Sequence, residues 1–330
     1  MSPPRRVIFG CTGPRLDPDE ARFFAQAQPW GFILFARNVV DPAQLRRLTE
    51  ALRGAVGRAA PVLIDQEGGR VQRLGPPHWR GWMPPLDQTA RACDPVRAME
   101  LRGRLIAAEL AAAGIDVNCA PLADIAGAET HPFLRNRCYG EDPAQVTACA
   151  RAMDKGLMAG GVLPVLKHLP GHGRARSDSH HALPVVDAAL ADLEATDFAP
   201  FRALSDLPLG MTGHLLFPGL DGQAPVTTSA RMIAMIREGL GFDGALMTDD
   251  ISMQALAGPV ADRGQAALAA GCDLVLHCNG DMAEMAALAE VCPPLDGAAR
   301  DRCAAALATR RAADDADLAA LSAEYDALMA

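Results

Sequence analysis

Eight short apolar runs alternate with Ala- and Leu-rich stretches of helical spacing along the whole chain, and this alternation limits the fold to parallel βα units. The runs are RVIFGCTG around Val7, GFILFAR around Ile33, PVLIDQE around Leu63, IDVNCAP around Val117, VLPVLKH around Val165, LGMTGHLLF around Met211, GALMTDD around Leu246 and CDLVLHCN around Val275. Their apolar residues are nearly continuous, as expected of strands buried on both faces. The stretches between them carry helix signals. DPAQ opens two of them, at Asp41–Gln44 and Asp142–Gln145, where Asp caps the free amides and Pro presets φ at the first helical position. Gly114, Gly160 and Gly271 mark helix ends. Eight strands each followed by a helix predict a (β/α)8 TIM-barrel-like fold, with a doubly wound open sheet as the weaker alternative. The expected organisation is a single domain over 1–330, with about 295–330 as a C-terminal helical decoration.

Composition narrows the class of partner. Half the residues are hydrophobic and no low-complexity block occurs, so a large buried core is expected. A formal charge of −9 argues against nucleic acid or an anionic membrane as the main partner. The nine cysteines are scattered, odd in number and free of any C-x-x-C pair, which reads as reduced thiols. The N-terminus lacks the apolar core of a secretory signal, and no run reaches the roughly 20 apolar residues of a membrane span. A cytoplasmic monomer is expected.

The chemistry concentrates where the apolar runs end, which in a barrel is the active-site face. The third run ends in Asp65-Gln66-Glu67-Gly68-Gly69-Arg70, with Arg73 close behind; the fifth ends in Lys167-His168, the sixth in His214, the seventh in Asp249-Asp250, and the eighth in His277 and Asn279. Any one of these serves equally well as a helix cap or loop residue; their recurrence in phase points to a site. No dinucleotide or P-loop glycine pattern and no G-x-S-x-G elbow is present.

The segment KHLPGHGRARSDSHHALP, Lys167–Pro184, holds four histidines: His168, His172, His180 and His181. Imidazoles and a carboxylate raise the possibility of a metal, but neither an H-x-H after the first run nor an H-E-x-x-H occurs, so no metal and no cofactor is expected. Asp178 and His180 stand one residue apart, so a tight turn brings them together. A carboxylate there fixes the imidazole tautomer and favours its charged form, suiting His180 to proton transfer. An Asx-turn beside an exposed histidine explains the same spacing equally well. Of the two aspartates after the seventh run, Asp249 is expected to carry chemistry and Asp250 to support the turn.

Taken together, IDQEGGRVQR (Ile64–Arg73), Arg137-Cys138-Tyr139, KHLPGHG (Lys167–Gly173), DSH (Asp178–His180), TDDISM (Thr248–Met253) and AGCDLVLHCN (Ala270–Asn279) resemble the bacterial β-N-acetylhexosaminidases of glycoside hydrolase family 3, the single-domain type of peptidoglycan recycling. The resemblance runs from the third strand to the eighth, and FILFARN of the second also fits it. It implies Asp249 as catalytic nucleophile, His180 as acid/base and Asp178 as the carboxylate paired with His180. It implies further that Asp65, Arg73, Arg137, Lys167 and His168 bind N-acetylglucosamine, while His172 and His181 shape the loop.

The implied reaction is retaining, exo-acting removal of terminal N-acetylglucosamine from (anhydro)muropeptide fragments through a covalent glycosyl-aspartate. Because a neutral imidazole repels an anion less than a carboxylate does, a phosphate-accepting phosphorylase is the alternative. A metal-dependent barrel hydrolase and a silent sugar-binding protein rank below it. Arg135, Asn136 and Cys138 depart from the family's usual residues around Arg137. Trp79 and Trp82, in the Pro-rich stretch Leu74–Pro85, are expected to pack their loop and not to line the site.

Overall fold

The strands β1 (Arg5–Gly10), β2 (Pro29–Leu34), β3 (Val62–Ile64), β4 (Val117–Asn118), β5 (Leu163–Pro164), β6 (Leu166–Leu169), β7 (Leu209–Thr212), β8 (Ala245–Asp250) and β9 (Leu274–His277) form one all-parallel sheet. The computed structural model describes residues 3–179 and 181–330. β1 pairs with β2 on one side and with β9 on the other, so Ile8 lies opposite both Gly31 and Leu276. The ring closes through the fifth apolar run. Its first piece, β5, pairs with β4, and its second, β6, pairs with β7. Between them the Val165 amide donates to Asn118 O and Ala120 O at 3.1 and 2.8 Å. The result is the expected (β/α)8-like barrel, and the open-sheet alternative is set aside.

Strand periodicity sorts the apolar side chains into two cores. Ile8, Ile33, Leu63, Val117, Met211, Met247 and Leu276 point inward and form one cluster. Their neighbours Val7, Phe9, Phe32, Leu34, Val62, Ile64 and Val275 point outward and pack beneath the helices. The helices start as their sequence dictates: Asp41 and Asp142 accept from the amides of Gln44 and Gln145 at 2.7 and 2.8 Å. Gly271 ends the helix Val260–Ala270 with φ of 115°.

The C-terminal segment splits between two places. Leu295 and the helix Gly297–Ala308 close the barrel at the N-terminal ends of the strands: Ala299, Cys303 and Ala306 join the interior cluster, and the Leu295 amide donates to Pro4 O at 2.7 Å. The helix Leu318–Leu328 lies outside, against the helix Pro95–Ala112, where Tyr325 meets the Trp82 ring edge-on at 5.3 Å. Trp79 and Trp82 both pack into the outer core. All nine cysteines are free. Among the described residues, no helix is long and apolar enough to cross a membrane.

Candidate active site

A cavity of about 190 Å³ opens at the C-terminal ends of the strands. Its apolar floor is the top of the interior cluster: Ile33, Met211, Leu276 and Cys278. Its wall is polar and charged, assembled from chain segments far apart in sequence.

The first side of the wall begins at β3. Asp65 follows the strand directly, and the turn after it reverses at Gly68 and Gly69, whose φ values of +107° and +59° suit glycine. Any Cβ on Gly68 would collide with the buried Arg102 guanidinium. Gln66 fixes the return: its Oε1 accepts from the amides of Arg73 and Leu74 at 2.9 and 3.0 Å, and its Nε2 donates to Leu74 O at 2.7 Å. Arg73 is thereby brought back over Asp65, donating to Oδ2 at 3.1 Å. Lys167, within β6, donates to Asp65 Oδ1 at 2.9 Å and to Glu67 Oε1 at 2.6 Å. Arg137 grips Glu67 with two parallel bonds of 2.8 Å.

Two carboxylates and three cations therefore form one network. Burial alone would raise the Asp65 carboxyl, but the charges of Lys167 and then Arg73 outweigh it and hold it well below the usual range. For Glu67 burial is likewise overcome, here by Arg137 and then Lys167, leaving the group at about 2. Burial opposes the charge of Lys167, yet Asp65 and Glu67 hold the ammonium well above its ordinary value.

The second side comes from the loops after β4 and β6. His168 follows Lys167 through a cis peptide bond and places Nδ1 2.7 Å from Asp124 Oδ2. The other oxygen, Oδ1, accepts from the His172 amide at 2.7 Å. The His168 and His172 rings lie 5.4 Å apart, and His172 meets Phe133 edge-on at 5.7 Å. Burial pushes the His172 imidazole down to about 3, so it is neutral near pH 7.

Asp249 completes the wall at the end of β8. Its Oδ1 accepts from the Asp250 amide at 2.7 Å. Burial would raise its pKa, but the charge of His168 leads the effects that bring it below the ordinary value, so the carboxylate is ionised at neutral pH. Asp250 turns away from the cavity: its oxygens accept from Ser252 N, Ser252 Oγ and Cys278 N. His214 supports this turn from beneath. Its Nε2–H donates to Asp250 O at 3.0 Å, which leaves Nδ1 to accept from Thr227 Oγ1 at 2.7 Å.

Of the residues singled out in the sequence, Asp65, Arg73, Arg137, Lys167, His168 and Asp249 converge on this cavity. Asp178 sits next to Ser179, which lines it, and the Asp178 charge acts on Arg70 at the rim. His180 lies outside the described residues. His277 and Asn279 do not reach the cavity; both bind Glu284 of the following helix at 2.8 and 2.7 Å. Arg135 is engaged elsewhere, with Gly127 O and Glu141. Glu67 stands at the end of the third run, in IDQEGG, without a role assigned to it from sequence, and Asp124 carries no sequence signal. Sequence reasoning placed His172 as a loop-shaping residue, whereas its ring lines the cavity.

The chain resembles known proteins over most of its length. Residues 12–305 match the glycosyl hydrolase family 3 N-terminal domain. A beta-hexosaminidase of Bordetella pertussis is 38% identical over 86% of this chain and 82% of that protein. One from Chromobacterium violaceum is 39% identical over 80% and 76%. Among solved structures, NagZ from Neisseria gonorrhoeae in complex with N-trifluoroacetyl-D-glucosamine superposes with a TM-score of 0.89 and 28% identity, covering 100% of this chain and 99% of that one.

Proposed function

This chain belongs to glycosyl hydrolase family 3 and is a glycoside hydrolase, and from that premise we propose that it removes terminal N-acetylglucosamine from muropeptide fragments with retention of configuration. The observation that carries the reading is the placement of an ionised carboxylate, Asp249, at the end of β8 on the wall of a cavity that also presents Asp65, Arg73, Arg137, Lys167 and His168 above an apolar floor. Asp65, Arg73, Lys167 and Arg137 offer the alternating charges that hydroxyl groups bridge readily. A cavity of about 190 Å³ falls below the ~300–1,000 Å³ of drug-sized sites, which supports one terminal sugar and hence exo action.

The mechanism we infer combines the position of Asp249 with the roles that the family resemblance implies. Asp249 attacks the anomeric carbon as the glycosidic bond breaks, forming a glycosyl-aspartate ester. His180, which the family resemblance pairs with Asp178, gives its proton to the departing oxygen. The same imidazole then takes a proton from water, whose oxygen attacks the anomeric carbon and releases the sugar. The similarity to beta-hexosaminidases and the N-acylglucosamine ligand of the Neisseria protein support N-acetylglucosamine as the bound sugar. The nine free thiols support a reducing compartment, the cytoplasm.

Release of 4-nitrophenol from 4-nitrophenyl N-acetyl-β-D-glucosaminide tests the reading. Wild type should turn over, Asp249→Ala should lose at least about 10³-fold in kcat/KM, and His180→Ala about 10²–10⁴-fold. The sugar first released, followed by proton NMR, should be the β anomer. Release of the α anomer would remove the covalent intermediate, and an undiminished Asp249→Ala would remove the nucleophile.

A further inference from the structure

We propose that Asp124 is a positioning residue of the cavity: it fixes His168 with Nδ1 protonated and turned inward, so that Nε2 is the atom presented to the sugar. The proposal rests on the glycosidase reading and adds to it a residue that touches neither sugar nor nucleophile.

Asp124 has no exposed surface. A carboxylate so placed needs hydrogen bonds to every oxygen and a positive partner close by. Among the described residues no Lys or Arg hydrogen-bonds or ion-pairs with it, although the Arg137 charge acts on it from further off; its side-chain bonds run to His168 Nδ1 at 2.7 Å, to the His172 amide at 2.7 Å and to the His168 amide at 3.4 Å, the last at the edge of bonding distance. An ionised carboxylate only accepts, so His168 Nδ1 must carry the hydrogen. That leaves Nε2 for the cavity, which His168 lines.

The same carboxylate sets the spacing of two imidazoles. It holds His168 by the ring and His172 by the main chain, and the intervening turn is closed by the Gly171 amide donating to His168 O at 2.8 Å. His172 is thereby kept against His168 and Phe133, with its Nδ1 buried and, among the described residues, without a hydrogen-bond partner. A rotated His168 ring would move Nε2 out of register with Lys167 and Asp249. The expected effect is on sugar binding more than on bond cleavage, because Asp249 is held by β8 and its own turn.

The test uses the full chain, labelled with ¹⁵N, and long-range ¹H–¹⁵N spectra of its histidines, assigned with His168→Gln. In wild type, His168 should show a protonated, exchange-protected Nδ1. In Asp124→Asn, which keeps shape and removes charge, that protection should be lost. KM for the nitrophenyl glycoside should rise at least about tenfold, with kcat within about threefold. The double variant Asp124→Asn/His168→Gln should be no worse than His168→Gln alone. An unprotonated Nδ1 in wild type overturns the proposal whether or not the variants fold. A folded Asp124→Asn with unchanged KM overturns it as well. If wild type fails to turn over the glycoside, the glycosidase reading falls, while the spectra still decide the role of Asp124.

Discussion

Glu67 and Asp65 are two carboxylates with common partners and different work. The Glu67 side chain is fully buried between Arg137 and Lys167, whereas Asp65 keeps 16% of its side chain exposed at the cavity. Removing the charge from Glu67 leaves buried cations without their counter-charge. Glu67→Gln should therefore cost about 3–5 kcal/mol of stability, measured by denaturant unfolding, together with weaker sugar binding. Asp65→Asn should cost less stability and raise KM more, since Asp65 lines the cavity and is the more exposed of the two. Equal stability losses in the two variants would sink this division of labour. Asp65, Arg73, Arg137, Lys167 and His168 were legible in the sequence because each belongs to a motif or ends an apolar run. Glu67 ends the same run as Asp65, but its role was not legible, and Asp124 was not legible at all, because each takes its meaning from a partner far along the chain: Arg137 lies 70 residues beyond Glu67 and His168 lies 44 beyond Asp124. Neither burial nor such a partner leaves a local signature.

Elements followed the sequence closely wherever periodicity and caps agreed. The apolar runs became strands, and the DPAQ stretches became helix starts. The division of the fifth strand was not legible, because it arises where one strand changes partners from β4 to β7 to close the ring. Nor was the place of the helix Gly297–Ala308, since the small apolar residues that plug the barrel look like those of any surface helix. Helix packing makes a sharp test. The helices Pro95–Ala112 and Pro143–Ala159 meet through Gly103 and Gly156, and a Cβ on Gly156 would fall against the Glu100 carbonyl and 2.7 Å from the Arg104 amide. Gly156→Ala should lower stability by about 1–3 kcal/mol through overpacking. Gly54, inside the helix Pro42–Val56, has open space where its Cβ would stand. Gly54→Ala should instead raise stability by about 0.4–1 kcal/mol, because it restricts only the unfolded chain and favours helix. The same substitution is expected to change melting temperature in opposite directions at the two positions, and a shared sign would contradict this account of the helix interface.

Across the whole molecule, net charge says little about where ionisation matters, because the barrel gathers four depressed carboxylates at one end. Glu67, at about 2, and Asp65, Asp124 and Asp249 all titrate below their ordinary values. In the unfolded chain these carboxylates bind protons first as pH falls. Their contribution is thus complete above the ordinary carboxylate range and is lost as pH drops through their folded values. Burial moves His172, down to about 3, and His214 in the same direction. The unfolded chain gains those protons near pH 6.5 while the folded protein does not, so stability begins to fall there. Glu20, Glu109 and Asp154 act the other way, since burial raises each of them and they offset part of the carboxylate loss. Acid denaturation should therefore come in two stages, a histidine stage below about pH 6.5 and a steeper carboxylate stage below about pH 4. The histidine stage has a slope of at most about 1.4 kcal/mol per pH unit for each group. Urea unfolding between pH 7.5 and 3.5 measures the profile, and His172→Gln should flatten the first stage while leaving the second in place. A wild-type stability that stays level from pH 7 to pH 5 would mean that these imidazoles are protonated in the folded protein, against the buried, neutral state their surroundings impose.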